Sequence, residues 1–311
     1  MAHAVRFRKD SQKEFYNVFS GLCSSKSSWS VWADFITMSA LAIANTFDQE
    51  GAIHDERERE YKDIIKRYSE KELPVFSMLF ALMVNALEDE PEQDFLGEMF
   101  MVLNLGNHWK GQFFTPYSIC RLMGEVSIEG VEAHIEERGW VGIHDPCCGA
   151  GALLIAARNV MVRKRLGPRA TLFVAQDLDR VAALMCYIQL SLLGCAGYVV
   201  VADSILNPLA GPSPLLLTPS PNQELWLMPA LYDEVWAGRV QCERMRLLLT
   251  SLGVMQTGPK PEAPQQEPAH IPPTPEQTAP KAEQSPPVVE QETHAPPPPL
   301  NEATGGQLTL F

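Results

Sequence analysis

The middle of this chain predicts an α/β fold built on a parallel sheet. Three short apolar runs alternate with two helical stretches, and each run ends on an aspartate. The runs are continuously apolar rather than alternating, as expected of strands covered on both faces. A glycine-rich turn separates the first run from its helix, and such a turn lets backbone approach a ligand without interference from Cβ.

Residues 10 to 105 read as helical. Leu41, Phe47, Ile64, Ile65, Tyr68, Met78, Leu79, Leu82, Met83 and Leu87 recur at spacings near three and four, which predicts buried helix faces. Pro74 and Pro91 suggest helix starts. Acids and bases alternate from Asp55 to Glu60, predicting a solvated helix face laced with near-neighbour ion pairs.

The first strand is predicted at 141–145, ending at Asp145, and the turn follows as Cys148-Gly-Ala-Gly151. Leu153, Leu154, Ala157, Val160 and Met161 mark one side of the next helix. A second strand at 170–176 ends at Asp177, a second helix runs from about Arg180 to Leu193, and Gly194 stops it. The third strand, 198–202, ends at Asp203. Five prolines then predict a loop from Ser204 to Asn222, and residues 231 to 253 read as an amphipathic helix with Leu231, Val235, Val240, Met245, Leu248 and Leu249 on its apolar side. Trp226, Tyr232 and Trp236 read as packing residues rather than a stacking platform for a base.

Composition bounds the rest. Hydrophobic residues make up 46 % of the 311, enough for a substantial core, yet 14 of the 25 prolines fall between Pro259 and Pro299 and no aromatic lies between Trp236 and Phe311. The expected organisation is a helical region over 1–105, an α/β domain over 106–255, a disordered Pro-rich linker over 256–306 and a terminal peptide, 307–311. Net charge is −13, of which the stretch from Gln256 contributes −5, which argues against indiscriminate nucleic-acid binding but leaves room for a basic cleft. Arg158, Arg163, Lys164, Arg165 and Arg169 form a basic run that could touch phosphates, or equally a solvated helix end. Seven cysteines without Cys-x-x-Cys spacing read as free thiols in a reducing compartment, so the expected location is cytoplasmic, with no membrane span and no metal.

Three carboxylates at three successive strand ends suit a ligand rich in hydroxyls and amines, because ligands bind outside the carboxyl ends of parallel strands. The simpler alternative is a tight turn with aspartates capping helices. A nicotinamide site is disfavoured: its fingerprint would need a third glycine at Leu154.

Asp145-Pro-Cys-Cys-Gly-Ala-Gly151 resembles the S-adenosylmethionine-binding motif of adenine-specific DNA methyltransferases, especially modification subunits of type I restriction systems. Upstream, Gly111-Gln-Phe-Phe-Thr-Pro116 resembles the Phe-Thr-Pro segment of that family, and Ala175-Gln-Asp-Leu-Asp179 its next motif. The resemblance covers about residues 95 to 205 with the parts in order. It implies a Rossmann-like methyltransferase sheet, with Phe114, Thr115 and Pro116 lining the methionine end of the cofactor. Asp145, Cys147, Gly149 and Gly151 would form the floor, with Asp145 near the amino group. Asp177 would accept from the ribose hydroxyls, Leu178 would flank the adenine, and Asp203 would accept from the adenine amine. Each ligand group is a donor and the sulfonium is cationic, so carboxylates suit these tasks.

The family's catalytic tetrapeptide, Asn or Asp followed by Pro-Pro and an aromatic, has no counterpart after Asp203. Asn207-Pro208 is the nearest candidate, but Leu209 and Ala210 follow it and no room remains for a fourth strand. Strands beyond the third are therefore absent or highly diverged. Ser285-Pro-Pro-Val288 lies in the Pro-rich stretch and reads as coincidence.

The chain ends Gln307-Leu-Thr-Leu-Phe311, which resembles the pentapeptide that docks replication and repair proteins on the bacterial sliding clamp, with Gln307, Leu308, Leu310 and Phe311 matched. The alternative is an apolar terminus packing back on its own domain. Two functional readings follow. One is an adenine-specific DNA methyltransferase of a restriction-modification or mobile-element system, with DNA, the clamp and a specificity or second subunit as partners. The other is a catalytically inactive, DNA- or clamp-binding or anti-restriction descendant. RNA or protein methylation is a third, against which the Phe-Thr-Pro segment argues.

Overall fold

The computed structural model describes residues 7–24, 26–105 and 114–254, together with the backbone of 307–309. Two compact units divide the chain, residues 1–245 with 304–311, and residues 246–303.

Five helices build the N-terminal region: α1 (Asp10–Leu22), α2 (Ser28–Phe47), α3 (Ala52–Ile65), α4 (Leu73–Asp89) and α5 (Phe95–Val102). Ser27 caps α2 by accepting from the Ser30 amide, and Asp94 caps α5 by accepting from Gly97. Pro74 sits in the first turn of α4 as expected, but Pro91 lies in the link after α4, four residues short of α5. Phe15, Phe19, Trp32, Phe35 and Phe95 meet edge to face or stacked in the bundle core. Phe47 and Met78, expected inside, are exposed.

The second half begins with α6 (Tyr117–Ser127) and α7 (Val131–Arg138), then β1 (Val141–Asp145), α8 (Ala152–Arg163), β2 (Thr171–Asp177), α9 (Arg180–Leu192) and β3 (Ala196–Val201). The three strands pair in parallel, β1 with β2 and β2 with β3, so the expected order and polarity hold. Two strands were not legible. β4 (Glu224–Leu227) adds antiparallel to β3, and β5 (Gln307–Thr309) adds parallel to β1, giving the order β4-β3-β2-β1-β5. The predicted helix near 231–253 is α10 (Glu234–Ser251), yet Trp236 is its one buried residue, so its apolar periodicity does not mark a core face.

Alternate side chains of the central strands feed two cores. Val141, Ile143, Phe173, Ala175 and Val199 join the helices in one, and that core runs on without interruption through α2, α4 and α5 to Phe15. Leu172, Val174, Tyr198, Val200 and Trp236 form the other. The charged stretch is solvated at Asp55, Glu56 and Arg59 as expected, and Glu58 pairs with Lys62, but Arg57 and Glu60 tie the halves together. Arg57 is buried, pairs with Asp48 at 2.8 Å and lies 4.8 Å over the Trp226 ring. Glu60 pairs with Arg180 at 2.9 Å, and Arg180 pairs in turn with Glu224 at 2.8 Å.

Candidate functional site

The carboxyl ends of β1 and β2 are held together by one short turn. Asp145 ends β1, and its Oδ1 accepts from the Cys147 amide at 3.0 Å. Cys148 N donates to the Gln176 carbonyl of β2 at 3.0 Å, which pins the turn across the two strands. Gly149 and Gly151 then take left-handed φ angles of +52° and +91°. A Cβ on Gly149 would stand 3.0 Å from Phe114 Cδ1, and one on Gly151 would stand 2.8 Å from Cys186 Sγ of α9. The first glycine thus lets the Phe114 ring close on the turn, and the second lets α8 begin against α9.

Phe114 reaches the turn from 35 residues upstream in sequence, and its ring packs 5.0 Å from that of Phe100 in α5. The Phe-Thr-Pro segment and the glycine turn are therefore neighbours in space. Thr115 and Pro116 line a cavity of about 360 Å³ together with Asp94, Glu98, Phe114 and Tyr117. Gly111, Gln112 and Phe113 lie outside the described residues. A larger cavity, about 700 Å³, lies between α2, α3 and α4, lined largely by apolar side chains away from the sheet edge.

The carboxylates differ in what they already do. Asp145 is buried, and desolvation pushes its carboxyl up to about 6, with the Cys147 amide pulling it back and the Asp177 charge adding to the rise. Asp177 is raised for the same reason, although Oδ2 accepts from Gly149 N at 2.8 Å and Oδ1 from Asp179 N at 2.8 Å. Asp203 is half-buried and caps its own turn, accepting from Ile205 and Leu206, which lowers its carboxyl. Of the three strand-end acids, Asp203 caps a turn rather than a helix, and the aspartate that caps α9 is Asp179. Leu178, Ile205 and Leu206 stand exposed just beyond β2 and β3, an apolar rim beside the acids. Cys147 is exposed, with Sγ 3.8 Å from Ser204 Oγ.

This arrangement fits a cationic, hydroxyl-bearing cofactor on structural grounds. Two carboxyls, the buried Asp145 and the half-buried Asp177, are raised by desolvation with no cation among their causes, so a positive ligand group would relieve them. A glycine turn and an exposed apolar rim adjoin them.

Residues 93–215 match the family model of the N-6 DNA methylases. Two solved structures are similar to the chain. One is a protein of Listeria monocytogenes described as a class I S-adenosylmethionine-dependent methyltransferase, at 16 % identity and TM-score 0.36, with 65 % of this chain and 56 % of that chain covered. The other is the type I restriction-modification system methyltransferase subunit of Streptococcus thermophilus, at 14 % identity and TM-score 0.36, with 63 % and 58 % covered. The chain therefore spans less than two thirds of either. No curated protein matches.

Within residues 93–215, two further residues serve the turn. Gln189 of α9 is fully buried. Its Nε2 donates to Asp94 Oδ1 at 2.8 Å and to the Ala150 carbonyl at 2.9 Å, and its Oε1 accepts from Leu96 N at 3.0 Å. It fastens the glycine turn to the start of α5. Asp94 is raised to about 6 by burial, with Gln189 and Gly97 pulling the other way. A lone amide within Met185-Cys-Tyr-Ile-Gln-Leu190 was the available sequence signal.

Other candidates fall elsewhere. Asn207 Oδ1 accepts from Ser220 Oγ at 3.1 Å and from Gln223 Nε2 at 3.3 Å, and the carbonyls of Asn207 and Pro208 accept from Gln223 as well. These bonds organise the loop. Of the basic run, Arg163 pairs with Glu92 and Glu125, Lys164 with Glu132 and Arg169 with Asp233, while Arg158 bonds Asn159 and the Leu193 carbonyl. Trp226 and Trp236 are buried, and Tyr232 stacks on Phe47 with its hydroxyl on Asp48.

Proposed function

We propose that the chain binds S-adenosylmethionine at the carboxyl edge of β1, β2 and β3 and acts as an adenine-specific, N6 DNA methyltransferase of a restriction-modification or mobile-element system. The packing of Phe114 on the Gly149 turn, with Asp145 and Asp177 beside it, carries the reading. Asp145 would take the ligand's amino group, Asp177 the ribose hydroxyls, Leu178 one face of the adenine and Asp203 its amine. Phe114, Thr115 and Pro116 would border the methionine arm, with Cys147, Gly149 and Gly151 beneath it. The cofactor supplies an activated methyl group on a sulfonium, so the protein's task is orientation rather than strong base catalysis. Calorimetric titration with S-adenosylmethionine should show saturable binding, abolished by Asp177→Ala; absence of heat with folded protein ends the proposal.

A second reading, a methyltransferase fold that has kept the cofactor crevice but lost transfer, is favoured by the four loop contacts that engage Asn207 and Pro208. Labelled methyl transfer to unmethylated DNA separates the two. If Asn207→Ala leaves transfer unchanged, Asn207 and Pro208 are not its acceptor segment.

The terminal peptide Gln307 to Phe311 we propose to be a docking peptide for a sliding clamp, on the sequence match at Gln307, Leu308, Leu310 and Phe311. Tethering of this kind raises the local concentration of the domain near DNA without a basic surface. Deleting 307–311 should abolish co-elution with the clamp. A specificity subunit would supply target recognition.

A further inference from the structure

We propose that the outer edge of β1 is a strand-accepting surface whose occupant is the chain's own C-terminal strand β5, and that this occupancy shapes the crevice beside Asp145. Three observations carry it.

β1 needs a partner on that edge. β2 covers one side, and among the described residues β5 alone covers the other, in the register Gly142 to Gln307, Ile143 to Leu308 and His144 to Thr309. Val141, Gly142, Ile143 and Asp145 are all buried. The strand carries no lysine, proline or bulge of the kind that protects a natural edge. Bare, it would expose a row of unpaired amides and carbonyls next to a core, which is what a parallel strand avoids.

The position is also the place where strand order turns. β1, β2, β3 and β4 step away in one direction and β5 lies on the opposite side of β1. In open parallel sheets the ligand crevice opens outside the carboxyl ends at that reversal. Asp145 is the last residue of β1 and the pairing with β5 runs to His144, one residue before it, so the strand ends next to the crevice.

The occupant is far from the rest of the sheet in sequence. Residues 255–306, 52 of them, separate Val254 from Gln307, a contour of roughly 170 Å, so reach does not limit docking. Only three residue pairs hold the strand. Pairing this short makes an exchangeable cap rather than a permanent strand. Where the clamp-docking proposal also holds, Gln307 and Leu308 cannot serve both sites at once, so the docked and clamp-bound tails exclude each other.

The test compares the full chain, a chain lacking residues 304–311, and a full-length Thr309→Pro chain, whose proline cannot donate in a ladder. Hydrogen exchange is read on peptides covering 141–145, with peptides covering 172–177 and 196–201 as internal controls. Both altered chains should exchange several-fold faster over 141–145 with the controls unchanged, and a synthetic peptide of residues 304–311 should restore protection to the truncated chain. Equal exchange in full-length and Thr309→Pro chains overturns the proposal, and so does protection that rises with protein concentration, which assigns the edge to a second copy. The Thr309→Pro chain keeps the question decidable if the deletion prevents folding. The effect on the crevice rests on the cofactor reading. S-adenosylmethionine affinity should drop about fivefold or more when β5 is removed. Loss of binding in every chain refutes that reading alone, because the exchange result stands without a ligand.

Discussion

Asp145 sits where burial opposes the charge that its proposed ligand role requires. Its folded carboxyl is lifted from 3.8 to about 6, so the native protein holds that proton more tightly than the unfolded chain. Stability from this group therefore falls as pH rises from about 4 to about 6 and stays lower above it. His144 runs the other way: burial depresses it from 6.5 to about 4, so its contribution is lost as pH falls through that interval. Asp145→Asn should stabilise the ligand-free protein at pH 7 by roughly 2 kcal/mol in urea unfolding while weakening S-adenosylmethionine binding. In the unsubstituted protein, a cationic ligand should bind with release of a proton near pH 6, and its affinity should decline on acidification below that value. Calorimetry in buffers of different ionisation enthalpy reads the proton directly. Gln189 makes a complementary case. Gln189→Leu removes the side-chain partner of Leu96 N and the Ala150 carbonyl and leaves Asp94 only its Gly97 amide, a loss of about 3 kcal/mol of unfolding free energy in urea denaturation. The acids at strand ends were legible because their place in the pattern is local. Gln189 was not, because its three partners lie 39 to 95 residues away.

Among the elements, the strand-turn-helix unit from Val141 to Arg163 was the most readable, since its apolar run, glycines and helix are consecutive. Its geometry makes a sharp prediction. Gly151→Ala meets both a left-handed φ of +91° and the Cys186 sulfur, and should cost about 2 kcal/mol or more while displacing α9. Adding Cys186→Ala relieves the contact and not the backbone strain, so only part of the thermal midpoint should return. β4 escaped the sequence for a physical reason. Its four residues follow five loop prolines and carry no alternation, and it is held by pairing to β3 together with Trp226, which packs on Tyr187. α10 shows the converse, since its periodicity was plain yet buries Trp236 alone. Period detects a helix; contact with a partner face decides whether that face is core.

Across the molecule, the same core holds the helices and the sheet, and a charged seam crosses it at Arg57 and Arg180. The partners of Arg180 lie 120 and 44 residues away, which no local pattern encodes. Arg57→Ala removes a buried guanidinium from Asp48 and Trp226 and should cost more than about 2 kcal/mol. Arg163→Ala, whose partners Glu92 and Glu125 are solvent-facing, should cost less than about 1 kcal/mol. Calorimetric scanning should find one transition for residues 1–245, its enthalpy matching the van't Hoff value. Inheritance is constrained by the same seam. A recombination event that exchanged α1 to α5 for an unrelated bundle would have to re-match Arg57 to Trp226, Glu60 to Arg180 and Asp94 to Gln189, a barrier to shuffling the two halves as cassettes.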